Sequence, residues 1–304
     1  MNAIRWEKRG LVFTPDGTRA WQRAYAWVPT VDRVDGDHVR VYVAGRNDDN
    51  LSQVGAFVLD LARERVVEVS EAPVLTLGAL GTFDDSAVLP TCVIDHGRRK
   101  LLYYTGWMQG KRVPYYASVG LAVSEDGGRT FHRVSRGPLF DRDDVDPYMT
   151  ASAWVLVEDS RWRMWYLSNT VWTVAAGEPR PRYHIRYAES EDGVRWRRDG
   201  TVCIDFADET EYAIARPCVV RHDDGYRMWY SHRGAAYRIG YAESQDGVKW
   251  TRRDDAAGID VSSDGWDSEM LEYGTVFRYR GRLHMLYNGN EYGRTGVGLA
   301  VEAA

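Results

Sequence analysis

The chain has 304 residues, of which 44% are hydrophobic and 27% charged, and its formal net charge is −5. This composition is ordinary for a globular protein with a large core, and the acidic balance argues against non-specific nucleic-acid binding, which needs a basic stripe. No apolar run approaches the roughly 18 residues of a membrane span, and residues 1–10 lack the apolar core of a signal peptide. We therefore expect a cytoplasmic protein with no membrane partner and no nucleic-acid partner.

In chain order, five short apolar strands each end at a tyrosine, and together they define a repeat. The tyrosines are Tyr42, Tyr103, Tyr166, Tyr230 and Tyr287. Thirteen residues before each tyrosine stands a proline or a small residue, namely Pro29, Pro90, Ala153, Pro217 and Gly274. Because proline cannot donate to a strand ladder, it is confined to sheet edges and strand starts, so these positions predict an edge strand in each unit.

A third strand rich in small residues follows each predicted hairpin, at 54–59, 119–123, 185–188, 239–242 and 297–301. Three of these strands lead into a turn with serine first, aspartate third and glycine fourth, at 124–127, 190–193 and 244–247. An aromatic residue comes shortly after each turn: Phe131, Trp196 or Trp250. Aspartate caps backbone amides in such turns and glycine adopts positive φ, so we interpret them as structural rather than as metal or sugar sites.

Five such units predict an all-β fold, a five-bladed β-propeller with four-stranded antiparallel blades, formed by one domain over residues 1–304. The fifth unit ends without an outer strand, whereas residues 4–8 resemble the outer strands at 194–198 and 248–252. We therefore predict that the N-terminal strand pairs with residues 297–301 and completes the last blade. This pairing would remove a long unpaired sheet edge.

The repeat, its Ser/Asp/Gly turns and the carboxylates near the inner strands resemble the five-bladed propeller glycoside hydrolases. That superfamily includes the arabinanase and xylosidase type, the invertase and levansucrase type, and the mannosyl-oligosaccharide phosphorylases. The resemblance covers nearly the whole chain and implies a carbohydrate ligand, with catalytic carboxylates at the channel end of the inner strands. It also implies an aspartate in the first blade as general base, and Arg23 stands at that position instead.

The equivalent register of the other blades offers acids. The predicted catalytic residues are Asp85, Glu211 and Glu269, and the predicted substrate-binding acids beside them are Asp84, Asp146 and Glu272. Glycoside hydrolysis uses two carboxyl groups, about 5–5.5 Å apart for retention and about 6.5–9.5 Å apart for inversion. Asp85 with Glu211 or Glu269 would supply such a pair. Convergent carboxylates repel each other, so at least one is expected to hold its proton to higher pH than a free side chain.

Basic residues near the same mouth predict recognition of an anionic group. They are Arg23, Arg46, Arg216, His232 and Arg233. Arginine binds phosphate or carboxylate through two parallel hydrogen bonds. The alternative is that these residues form ion pairs with the nearby acids and hold loops in place.

Two long connections, 107–116 and 170–182, are predicted to be loops that cover the mouth. Trp107 is predicted either to stack on a sugar ring or to cover the apolar mouth of the channel, and Asn288 either to bind a hydroxyl group or to form part of a turn. No spacing of histidines or cysteines predicts a zinc site, and no cofactor is expected. Cys92, Cys203 and Cys218 form an odd and sparse set, which predicts buried free thiols.

Two classes of function remain open from the sequence. The first is a carbohydrate-active enzyme acting on a small or anionic glycoside, either a hydrolase or a phosphorylase that holds phosphate in place of water. The second is a propeller that binds a sugar, or that performs another acid/base reaction, without hydrolysing a glycoside. A fold by itself does not choose between them.

Overall fold

The computed structural model describes residues 4–303, and nearly all the regular structure in that range is β-strand. There are 20 strands in it, together with a 3-10 turn at Asp254–Ala256 and a short helical turn at Asn290–Gly293. The strands form two sheets of eight strands and one sheet of four. The predicted all-β class is confirmed.

Each eight-stranded sheet consists of two four-stranded antiparallel meanders joined by a single parallel bridge. The bridge pairs Ser52 with Ala87 in one sheet and Tyr183 with Ala213 in the other. The described strands therefore fall into five groups of four, numbered here in chain order.

The chain opens with β1 (Trp6–Phe13), and the first group follows it: β2 (Ala24–Asp35), β3 (His38–Arg46), β4 (Ser52–Asp60) and β5 (Arg65–Val69). The second group is β6 (Ala87–His96), β7 (Arg99–Gln109), β8 (Tyr115–Ser124) and β9 (His132–Arg133). The third group is β10 (Thr150–Glu158), β11 (Arg161–Ala175), β12 (Glu178–Ser190) and β13 (Val202–Ile204). The fourth group is β14 (Ala213–His222), β15 (Gly225–Arg233), β16 (Tyr237–Ser244) and β17 (Thr251–Arg252). The fifth group is β18 (Glu272–Tyr279), β19 (Arg282–Asn288), β20 (Val297–Glu302) and, from the other end of the chain, β1.

The pairing of the N-terminal strand is as predicted. β1 runs antiparallel to β20, with Trp6 opposite Glu302 and Phe13 opposite Val297. The Nζ atom of Lys8 lies 2.8 Å from a carboxylate oxygen of Asp267, which is buried in the fifth group. The two ends of the described chain are thus held in one sheet.

The first strand of every group has a register shift, and its position follows the sequence repeat. Backbone φ is positive within or next to four of these shifts, at Val28, Ser152, Arg216 and Tyr273. Each of the four residues immediately precedes one of the repeat positions identified above. Bulges of this kind redirect side chains, and strained backbone is concentrated at functional positions.

The Ser/Asp/Gly turns are structural, as interpreted from the sequence. In the turn at 190–193, the Ser190 hydroxyl accepts a hydrogen bond from the Gly193 amide at 2.9 Å. One oxygen of Asp192 accepts from the amides of Val194 and Arg195, both at 2.8 Å. Gly193 adopts a φ of 72°, which a residue without a Cβ adopts freely.

The tyrosine repeat has a different register in the first two groups, where the hydroxyls of Tyr42 and Tyr103 donate to a glycine carbonyl of the next group, Gly128 at 3.0 Å in the case of Tyr42. Tyr104, Tyr166 and Tyr287 each donate a hydroxyl hydrogen bond to an aspartate twenty residues earlier in the chain. Tyr103, which the sequence placed at this repeat position, instead donates to the carbonyl of Gly193 at 2.7 Å. Adjacent tyrosines at 103 and 104 made the two registers indistinguishable from spacing alone.

Of the two connections predicted as loops, 170–182 is mainly strand, so that prediction was wrong, whereas 107–116 keeps a loop at 110–114 between two extended strands. β11 continues to Ala175 and β12 begins at Glu178, and Trp172 is paired with Pro181 across the hairpin. Likewise β7 continues to Gln109, and β8 begins at Tyr115. Aromatic and β-branched residues favour the extended backbone, and here they lengthen the strands.

The core lies between adjacent groups and is rich in aromatic residues, as predicted. Trp165 and Trp229 are completely buried and Trp162 nearly so. The three cysteines are free and buried, which confirms that prediction. Within residues 4–303, no helix has the length and apolar character needed to cross a membrane.

Candidate functional site

The first strands of the five groups surround a small cavity. They contact one another in the order β2, β6, β10, β14 and β18, and β18 in turn contacts β2. The cavity between them has a volume of about 60 Å³. Its wall combines aromatic and aliphatic side chains with a few hydroxyl groups, and it includes Trp27, Thr91, Thr105, Trp107, Tyr115, Ser152, Tyr183, Tyr237 and Tyr273.

Trp107, predicted to stack on a sugar, is part of this wall. Its ring is stacked on Tyr115 with centroids 4.5 Å apart and planes 8° apart. Trp27 meets Trp107 edge to face at 5.8 Å, and Trp172 meets Tyr115 in the same way at 5.7 Å. Flat aromatic surfaces of this kind suit the apolar faces of sugar rings as well as one another.

Tyr292 packs against the same wall from the helical turn at Asn290–Gly293. Its ring contacts Tyr237 edge to face at 6.2 Å, and its hydroxyl accepts a hydrogen bond from Arg233 at 2.7 Å. Glu291 and Tyr292 have φ values of 54° and 60°, which are unfavourable for residues with side chains. The turn is therefore held in place by its contacts rather than by local preference.

Two of the predicted acids, Asp84 and Asp146, and a third acid, Asp267, belong to a repeated ion pair at one end of the sheets. Asp84 accepts from Arg133 at 2.6 Å, and a carboxylate oxygen of Asp146 lies 3.3 Å from Arg198. Asp267 has the equivalent partner in Lys8, described above. In each case the acid precedes the first strand of its group. The cation belongs to the outer strand of that group or to the segment between the Ser/Asp/Gly turn and the outer strand. Among the predicted binding acids, Asp84 and Asp146 are thus already paired within the protein.

Glu211 forms the corresponding pair in the fourth group. Its two oxygens accept from Arg252 at 2.7 and 3.0 Å, and His232 Nδ1 lies 2.8 Å from one of them. Burial acts to raise the pKa of Glu211, but the hydrogen bonds from His232 and Arg252 outweigh it and lower the pKa to about 2. The carboxyl group is therefore ionised at neutral pH, which does not fit the role of a proton donor. His232, predicted to bind substrate, is engaged in the same cluster.

Sequence reasoning missed the basic half of this repeat. Arg133, Arg198, Arg252 and Lys8 each stand two residues after an aromatic residue, at 131, 196, 250 and 6. Those aromatics were recognised as repeat markers. The basic residue two positions later was the signal that could have identified the pairing.

Asp85, Glu269 and Arg23 lie in the segments just before the first strands of their groups. Asp85 is partly exposed and accepts hydrogen bonds from the Ser86 hydroxyl at 2.7 Å and the Gly81 amide at 2.9 Å. The Glu269 side chain is exposed. Arg23 is exposed as well and pairs with Asp48 at 3.1 Å. Solvent reaches all three residues, and none of them is part of the cavity wall.

Arg216 and Asn288 connect neighbouring strands through hydrogen bonds. Arg216 is completely buried, and its guanidinium donates to the carbonyls of Pro29 (2.9 Å) and Thr91 and to the Thr275 hydroxyl (3.1 Å). Burial lowers the pKa of Arg216 to about 10. The Asn288 amide donates to the carbonyls of residues 26 and 296 and accepts from the amide of residue 28. Both side chains therefore form their hydrogen bonds with other groups of the protein.

Arg46 and Arg233 differ from Arg23 because neither has a carboxylate partner among the described residues, and from Arg216 because their guanidinium groups make at most one hydrogen bond there. The Arg46 guanidinium lies 4.4 Å above the Tyr25 ring and 4.8 Å above the Trp27 ring, and it forms no hydrogen bond or ion pair within residues 4–303. Arg233 lies above the rings of Tyr237 and Tyr212, and its one side-chain hydrogen bond there goes to Tyr292. The two arginines end β3 and β15, the second strands of their groups.

Glu272, the last predicted binding acid, is the first residue of β18 and is completely buried. No group meets hydrogen-bond geometry with either of its carboxyl oxygens in the described part of the chain. Burial raises the pKa of Glu272 well above its ordinary value, and the Tyr273 hydroxyl and the Arg233 charge offset this only in part. The raised pKa therefore belongs to a predicted binding acid and not to one of the predicted catalytic acids, and its main cause is burial rather than repulsion between carboxylates.

Within residues 4–303, no cluster of three or more histidine, cysteine, aspartate or glutamate side chains is arranged to hold a metal ion.

Comparison with known proteins gives close sequence relatives and more distant structural ones. The uncharacterized proteins MT1551 and Rv1502 of Mycobacterium tuberculosis are each 42% identical to this chain over 299 residues, which is 98% of this chain and 99% of theirs. No protein-family model matches the chain.

Solved structures of glycoside hydrolases share the fold. A glycoside hydrolase superposes with a TM-score of 0.75 at 17% identity, covering 98% of this chain and 91% of that one. A thermostable family-43 glycoside hydrolase gives 0.65 at 15% identity, with 95% and 92% covered. The catalytic domain of the Coprinopsis cinerea GH62 α-L-arabinofuranosidase gives 0.68 at 13% identity, with 99% and 98% covered. The predicted resemblance to this superfamily is confirmed at the level of the fold.

Proposed function

The chain belongs to the family of the two Mycobacterium tuberculosis proteins, and we propose that it is a carbohydrate-active enzyme of the glycosidase type. The glycoside hydrolases that share its fold support this class. We also propose that the five strand groups are the blades of a five-bladed propeller closed by β1. The ring of contacts among the five first strands and the pairing of β1 with β20 support that architecture.

One observation favours an anionic carbohydrate as the ligand: Arg46 and Arg233 carry charges with no carboxylate partner beside an aromatic cavity. A partly buried cation without a counter-ion is costly, and a bound carboxylate or phosphate would offset that cost. The other predicted arginines are already engaged, Arg23 with Asp48 and Arg216 with backbone carbonyls. The ring of Trp107 provides a surface for the apolar face of a sugar.

The reaction needs one carboxylic acid and one carboxylate. We propose that Asp85 and Glu269 act on the substrate, because they are the predicted catalytic residues that solvent reaches. Glu211, held ionised by Arg252, would instead keep His232 in place. This arrangement leaves the proton donor to be identified.

Ligand entry requires the cavity to open. Its volume of about 60 Å³ is well below the roughly 300 Å³ at which small-molecule pockets begin. Tyr292 is the group we propose to move, since its turn is strained and one hydrogen bond joins its hydroxyl to Arg233. Displacing it would also free the Arg233 guanidinium for a ligand.

Calorimetric titration with matched sugars tests the ligand class. A uronic acid and a hexose phosphate should bind more tightly than the uncharged hexose of the same configuration. A charge-assisted hydrogen bond contributes about 1.5–3 kcal/mol, so Arg46→Met and Arg233→Met should each weaken binding of the charged sugar about tenfold or more. Arg65→Met, on the exposed outer strand β5, is the matched control and should bind as the wild type does.

A screen of nitrophenyl glycosides, including uronides, tests the enzymatic part. Release of nitrophenol by the wild type is the expected result. Equal affinity for charged and neutral sugars in the titration would contradict an anionic ligand. If no nitrophenol is released from any glycoside in the screen, glycosidase activity is contradicted.

Phosphorolysis is the second candidate, and the same two arginines favour it. They could hold inorganic phosphate, which would attack the sugar in place of water. A product that is a sugar phosphate, formed only when phosphate is present, would identify this reaction. A free sugar formed at the same rate without phosphate would identify hydrolysis.

A further inference from the structure

Glu272 is a buried acid with no ion-pair partner among the described residues. The side chain has no exposed surface, and neither carboxyl oxygen has a hydrogen-bond partner in the described part of the chain. Burying an ionised carboxylate without an ion-pair partner is very costly, so burial favours the neutral form of the group. Structural acids elsewhere in this chain, such as Asp84 and Glu211, are paired with arginine instead.

The position of Glu272 links it to the cavity. It directly precedes Tyr273, a wall residue whose backbone has a φ of 55°. The groups that act on it electrostatically come from four strands: the hydroxyls of Tyr183 on β12, Tyr237 on β16 and Tyr273 on β18, and the guanidinium of Arg233 on β15. All three tyrosines line the cavity.

The neighbouring tyrosines do not compete for its proton. The hydroxyls of Tyr183 and Tyr237 are 2.8 Å apart and bond to each other. Burial raises the pKa of both phenols, so they remain neutral alongside the acid. The only cation among these groups, Arg233, has no carboxylate partner in the described part of the chain.

We infer that Glu272 is the proton donor of the proposed reaction, an inference that rests on the proposed function. When a glycoside enters and Tyr292 moves away, the carboxyl proton passes to the glycosidic oxygen as the bond from that oxygen to the anomeric carbon breaks. The electron pair of that bond stays on the departing oxygen. A water oxygen attacks the anomeric carbon and gives its proton to the carboxylate of Asp85 or Glu269, and exchange with solvent returns both acids to their starting states.

An isosteric variant separates this role from a structural one. Glu272→Gln keeps the shape and the neutral charge of the side chain but cannot donate the acidic proton. It should fold and bind the charged sugar as the wild type does, and it should lose about 100-fold or more in turnover of glycosides with poor leaving groups. Glycosides of dinitrophenol should be cleaved almost normally, because that phenolate departs without protonation. Glu191→Gln, on an exposed turn, is the matched control.

Infrared spectroscopy provides a test that needs no substrate. The wild type should show the carbonyl band of a protonated carboxyl group at about pH 7. Glu272→Gln should lack this band, and Glu272→Asp should shift it, so either variant assigns it if the other fails to fold. Absence of the band from the wild type would overturn the inference.

The two proposals fail in different ways. If the wild type cleaves glycosides and Glu272→Gln loses the same factor for every leaving group, the proton donor is another residue and the proposed function stands. If the wild type cleaves no glycoside, the proposed function fails and the assignment of a proton donor fails with it. In that case a protonated Glu272 in the infrared spectrum is a structural feature only.

Discussion

Replacing Phe13 by alanine tests whether β1 is an integral part of the core. Phe13 ends β1, is only 8% exposed, and stacks on Phe57 of β4 with centroids 4.4 Å apart. It therefore joins the fifth strand group to the first one. Truncation of a buried phenylalanine costs about 3–5 kcal/mol through lost burial and the cavity left behind. Against a total stability of about 5–15 kcal/mol, that is a large fraction.

Urea unfolding followed by tryptophan fluorescence measures this loss. With a slope of about 3 kcal/mol per molar urea, the midpoint of Phe13→Ala should fall by about 1 M or more. Leu11→Ala is the matched control, since Leu11 lies on the same strand and is 40% exposed, and its midpoint should change little. Equal midpoints for the two variants would refute the reasoning and would count against the proposed closure of a propeller by β1.

Two further predictions concern the acids. The folded pKa of Glu211, about 2, lies below its ordinary value of 4.5, so its ion pair stabilises the protein fully above about pH 4.5 and this stability is lost as the pH falls toward 2. Arg252→Met should lower the free energy of unfolding by about 2 kcal/mol at neutral pH, and its urea midpoint should fall less than that of the wild type between pH 4.5 and 2. The control Arg253→Met should behave as the wild type does. If the urea midpoints of Arg252→Met and the wild type fall in parallel, the pairing of Glu211 with Arg252 is contradicted. Asp85→Asn and Glu269→Gln should melt at the wild-type temperature and lose about 100-fold or more in glycoside turnover, and full turnover in both variants would remove them from the mechanism.

The sequence determined the elements because their causes are local. Strand periodicity, the Ser/Asp/Gly turns and the prolines within the first strands act within about a dozen residues, so spacing alone predicted the repeat and the pairing of β1 with β20. The same locality explains the errors. Adjacent tyrosines at 103 and 104 left the register ambiguous, and the segment 170–182 was taken for a loop although its residues suit a strand.

Only the tertiary structure decided what each candidate residue can do. The sequence placed Glu211 and Glu272 near one mouth, but Glu211 meets Arg252 from 41 positions away, while Glu272 meets no partner in the described residues. Arg216, predicted to bind an anion, bonds to the carbonyl of Thr91, which is 125 positions away. The ionisation and availability of a side chain depend on burial and on partners that folding brings from distant segments, and a linear sequence does not contain those distances.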